Sequence, residues 1–179
     1  TDIREVRLNV LELTQQALDS ELERFREVAI RIDQTPEVRK LYFQSGPVRG
    51  PLPVWLLDAK REAFDHVVPE QLTAGVFVYF RDLDVLFTIP DIYIRPEILF
   101  ENFLSYSDFG PAAAQEALLG GIAVAEVLPA VSATYLGRQI EVIPFRETLP
   151  LEDPRRQEGQ LVVLLDAGLL RSRLSKSVV

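Results

Sequence analysis

From residue 3 to residue 32 the chain carries neither proline nor glycine, and apolar residues return at helical spacing through Leu11, Leu18, Leu22, Phe25, Ala29 and Ile32. A stretch of this kind is a long amphipathic helix, and its apolar stripe has to lie along another element, so the rest of the fold is built against a rod. The first half carries a second apolar row, Val6, Val10, Leu13 and Ala17, displaced around the axis from the first. That half reads either as core on two faces or as the seam of a homodimer formed through the N-terminal helix.

Pro36 ends the rod, because proline disfavours the helical conformation of its predecessor, and Thr35 is placed to cap a short helix over residues 36–43. Residues 45–53, with Gly46, Pro47, Gly50, Pro51 and Pro53, form a turn-rich loop before a helix over residues 54–64. The character then changes to period-two, β-rich sequence. Residues 75–80 and 85–88 flank the turn 81–84 as a hairpin, residues 92–94 are a further extended piece, and residues 96–106 and 111–119 are helices started by proline. Three more strands follow at residues 127–132, 139–147 and 160–165, read as an antiparallel meander. Asp166 is placed to cap a final helix whose Arg171, Arg173 and Lys176 suit its C-terminal end. The order predicts an α+β fold over residues 1–179 as a single domain, with residues 1–33 as the long helix packed on one face of a central antiparallel sheet of about five strands. Residues 73–166 hold that sheet and its crossover helices.

The formal net charge of −8 and pI near 4.8 argue against a direct hold on nucleic acid or anionic lipid. No cysteine is present, so disulfides, thiol nucleophiles and thiolate metal sites are excluded. The single histidine, His66, lies at a predicted helix end, and no HExxH, Walker or GxGxxG motif occurs. The expectation is a protein that is not an enzyme and uses no cofactor or metal. The carboxylates Glu21/Glu23 and Glu152/Asp153 read as solvated charge, Asp82 and Asp84 as turn formers, and Gly120-Gly121 as a helix stop. The residues that suit a ligand pocket are Tyr79, Tyr93, Tyr135 and Arg146, which lie in or beside predicted strands and offer orientable donors on apolar bodies. Arg146 shares an alternating face with Ile140 and Val142. The expected site for a small-molecule ligand lies between the sheet and the crossover 90–121, a loop-rich segment over a rigid face.

Four stretches, residues 30–38, 76–86, 142–150 and 159–166 with the helix after it, carry a resemblance to a known family. The chain resembles the extracytoplasmic Cache domains, PAS-like sensors of membrane-anchored bacterial regulators that end in an AraC-type DNA-binding module or a histidine kinase. The resemblance implies a PAS-like sheet with the long helix on one face and a solute pocket on the other. It also implies a position on the extracytoplasmic face of the cell membrane, in a loop between two transmembrane helices. This domain would meet the membrane only through those flanking helices, and nucleic acid not at all. A start at Thr1 with no methionine in the chain fits an excised loop of that kind. The tyrosine-arginine-tryptophan-aspartate pattern of amino-acid-binding members is missing, and the only tryptophan, Trp55, precedes the sheet.

Overall fold

The long proline-free stretch folds as one helix, α1 (Ile3–Gln34), followed by α2 (Pro36–Leu41) and α3 (Val54–Phe64). The computed structural model describes residues 3–65, 67, 72–121 and 124–177, so His66 lies outside the described residues. The hairpin β1 (Thr73–Phe80) and β2 (Val85–Thr88) leads through β3 (Ile92–Tyr93) to a crossover made of α4 (Glu97–Asn102), β4 (Leu104–Tyr106) and α5 (Pro111–Leu119). Then come β5 (Ala125–Val127), β6 (Val131–Tyr135), β7 (Arg138–Leu149), a 3-10 turn (Pro154–Arg156), β8 (Gly159–Asp166) and α6 (Ala167–Ser177).

The fold is α+β, with one curled antiparallel sheet whose order is β3-β2-β1-β8-β7-β6-β4, and with β5 pairing to β7. Eight strands replace the five expected, for two physical reasons. Residues 104–106 leave the helix predicted for residues 96–106 to pair with β6, with Ser105 opposite Thr134. The strand expected over residues 127–132 is broken at Leu128–Ala130, where Pro129 has no amide to donate, so β5 and β6 pair separately along the same edge of β7. The meander β6-β7-β8 is as expected, and β8 is central, with all eight residues buried.

Alternation along the strands sorts two cores. Val76, Val78 and Phe80 of β1 join Leu161 and Val163 of β8 under a helix layer that contributes Phe25, Ala29, Ile32, Val38, Leu41 and Leu56. Phe25 lies on Phe145 of β7 with ring centroids 5.6 Å apart, while Leu18 and Leu22 are only half-buried at the margin. On the opposite face Phe77, Leu86, Val162 and Leu164 pack under the crossover residues Leu99, Phe100, Ala114 and Leu118. The first half of α1 projects past both cores, with Ile3 72% and Leu11 65% exposed and Val6, Val10 and Leu13 exposed as well.

Two local expectations are corrected. Thr35 makes no side-chain cap to α2, because its hydroxyl donates to the Arg31 carbonyl (2.9 Å) and closes the end of α1 instead. Glu21 is not solvated: it is 4% exposed, accepts from Arg24 (3.3 Å) and lies 3.9 Å from Arg173, which ties α1 to α6. Asp166 does cap α6, its Oδ1 accepting from the Leu169 amide (3.0 Å).

Candidate functional site

Tyr79, Tyr93 and Tyr135 come from β1, β3 and β6, and the curl of the sheet brings them into one buried cluster beneath the crossover. Phe77 meets Tyr135 edge-on at 5.7 Å, and Tyr93 tilts against Phe103 at 6.1 Å. The Tyr79 hydroxyl donates to Asp84 Oδ1 (2.9 Å), and the Arg81 guanidinium lies 5.6 Å from the Tyr79 ring centre. Burial pushes the Tyr135 phenol up to about 12 and raises Tyr93, and Tyr79 is raised by burial and then by its bond to Asp84. These are the tyrosines of a filled core, with the crossover side chains packed directly against them.

Arg146 emerges from β7 on the same side, beside Val142, with Nε and one terminal nitrogen engaged. Nε donates to Glu126 Oε2 (2.7 Å), and one terminal nitrogen donates to the carbonyls of Ala117 (3.1 Å) and Gly120 (2.6 Å). A guanidinium at the end of α5 satisfies carbonyls that have no partner within the helix. Gly120 stops that helix, as expected; a Cβ there would lie 2.6 Å from the Glu116 carbonyl oxygen.

The space left open between the sheet and the crossover lies further toward β4. A cleft of about 440 Å³ is walled by Tyr106, Asp108, Phe109 and Ala117 from the crossover, by residues 128–131, and by Ser132, Glu141 and Pro144 from β6 and β7. Its volume falls within the ~300–1,000 Å³ typical of small-molecule sites. None of the four predicted residues lines it. Tyr135 lines a second cleft, of about 160 Å³, with Thr73, Arg138, Asp166 and Leu169 at the start of α6.

Tyr106 is the residue that sequence reasoning missed. It is 8% exposed, burial pushes its phenol up to about 12, and its hydroxyl has no hydrogen-bond partner among the described residues. The helix predicted over residues 96–106 hid it, and only the pairing of β4 with β6 turns its ring inward. The signal available in the sequence was Tyr106 spaced two residues from Leu104, a period-two pair.

A third polar cluster lies on the helix side of the sheet. Asp33, at the end of α1, accepts from the Tyr42 hydroxyl (2.7 Å) and the Leu151 amide (3.3 Å), and Arg39 bridges Asp33 and Glu152. Burial raises the Asp33 carboxyl despite these donors. The cluster pins α1 to the connection between β7 and β8. Among the described residues no group of three or more histidine, aspartate or glutamate side chains converges to hold a metal, and no helix is long and apolar enough to cross a membrane. Comparison with protein families, curated proteins and solved structures returns no match for this chain.

Proposed function

We propose that the chain is a ligand-binding sensor domain of the PAS-like Cache type, held on the extracytoplasmic face of a bacterial membrane as part of a signal-transduction or transcription-regulatory protein. It carries out no catalysis. A small solute binds in the 440 Å³ cleft, and the response leaves through α6 and α1 to flanking membrane helices. The observation that carries this reading is Glu141, which lines the cleft while its two carboxylate oxygens accept from the Arg171 guanidinium of α6 at 3.2 and 2.5 Å. The Arg171 pair holds the Glu141 carboxyl below its usual range. An occupant of the cleft that favours one placement of Glu141 favours one placement of α6, and a ligand shifts a two-state equilibrium by its differential affinity for the two states. The exposed pair is well suited to rearrange, since little free energy is invested in it.

The test uses the absence of cysteine. Labels at Glu27→Cys on α1 and Ser172→Cys on α6 report their separation while a solute library is screened by thermal shift, because a solute that binds only the native state raises its midpoint. A stabilising solute that changes the label distance is the expected result. Stabilising solutes that leave the distance unchanged would remove the signalling half of the reading.

A second reading, a dimerisation or protein-interaction module without a small ligand, is favoured by the exposed first half of α1. Ile3, Val6, Val10 and Leu13 alternate at three- and four-residue spacing, the pattern of a two-helix seam. Self-association abolished by Val10→Asp, in a domain that no solute stabilises, would favour this reading over the first.

A further inference from the structure

We infer that the cleft takes a small organic cation, an amine on a compact apolar body. This rests on the cleft being the sensor's ligand site. Phe109, Leu128, Val131 and Pro144 supply the surface that removes an apolar body from water. Among the described residues every charged side chain in the lining is acidic: Asp108 and Glu141 are there, and no lysine, arginine or histidine is. A carboxylate ligand would therefore be desolvated beside like charge with no lining cation to compensate it. Glu141 is already held by Arg171, so Asp108, exposed at the rim, is the acid available to an ammonium group.

Two further features fit a cation. The rings of Tyr106 and Phe109 stand edge to face with centroids 6.3 Å apart, so the wall presents aromatic surface of the kind that attracts an ammonium. The Tyr106 hydroxyl is buried with no hydrogen-bond partner among the described residues, and a phenol oxygen is able to accept from an ammonium N–H. The net charge of −8 adds a long-range pull on cations.

The experiment compares three probes of one shape, benzylamine, benzyl alcohol and benzoate, by amide chemical-shift titration of the isotope-labelled domain. Benzylamine is expected to bind at least about tenfold more tightly than benzyl alcohol, with shifts at residues 106–109 and 128–132, and benzoate not to bind. Asp108→Asn should bring amine and alcohol to within about threefold of each other, and Tyr106→Phe should weaken the amine without lowering the thermal midpoint. Benzoate or benzyl alcohol binding as tightly as the amine would overturn the inference, as would an amine preference that survives Asp108→Asn. The labels on α1 and α6 separate this outcome from the fate of the sensor reading. An anion bound in the cleft that moves them overturns the cation and leaves the sensor standing, whereas benzylamine bound there without movement keeps the cation and removes the sensor.

Discussion

On β7 the side chain of Glu147 faces the helix layer between Phe145 and Leu149, with Oε2 buried and without a partner among the described residues. Burial raises its carboxyl above the usual range; Arg26 opposes the shift and Asp33 adds to it. The folded state thus holds this proton more tightly than the unfolded chain does. The associated stability is complete below the ordinary carboxylate pKa of 4.5 and is lost as pH rises through the raised value. Glu147→Gln keeps the shape and removes the charge, so its thermal midpoint should exceed that of the parent protein at pH 7, with the two converging toward pH ~4. Thermal melts across that interval decide it, and a gap constant with pH would mean that Glu147 is not charged against its surroundings. Arg146 gives a second prediction at this scale. Its side chain is 11% exposed and bonded to Glu126 and two carbonyls of the α5 end, so Arg146→Ala should cost about 2–3 kcal/mol in urea denaturation. Lysine should restore only part of that, since an ammonium is a point charge and cannot reproduce the guanidinium fork.

Elements with both local propensity and local punctuation were legible in the sequence. α3, α5 and β2 occupy the residues expected of them, and α1 runs only one residue past its expected end. The hairpin of β1 and β2 is closed by Asp84 at φ 50°, a left-handed turn conformation that aspartate tolerates well. What periodicity could not show was pairing at a distance. Residues 104–106 become a strand only because β6 offers an edge, and the neighbouring loops read as part of a helix until that edge exists. The site was partly legible for the same reason. Alternation grouped Arg146 with Ile140 and Val142, and Val142 and Ile140 do face the crossover, but it is silent on how tightly an opposing layer packs, and here Tyr79, Tyr93 and Tyr135 are buried in that layer's core, with only Tyr135 reaching a cleft. Phe25 carries the corresponding prediction for α1. It is buried against Phe145, and Phe25→Ala should cost about 3–5 kcal/mol, measured by chemical denaturation; a loss under about 1 kcal/mol would detach the rod from the sheet.

The molecule is a sheet between two unlike layers, four helices on one side and the crossover on the other. The cleft lies under the crossover and the helices lie opposite, so on the sensor reading proposed above a signal would pass through the sheet or around its edge. Asp166 ends β8 and Ala167 begins α6, with no residue between them. A loop would act as a slack coupling and absorb a twist of the strand, whereas a junction without one would pass it on. β8 is clamped by β1 and β7 along its whole length, and Asp166 itself is tied to the Leu72 carbonyl (2.7 Å). The strand and helix are then a single crank whose bearing is the middle of the sheet. Two glycines inserted after Asp166 would free the helix from the strand. On the sensor reading proposed above, the domain should still fold and still bind a solute in the cleft, yet the label on α6 should no longer report that binding.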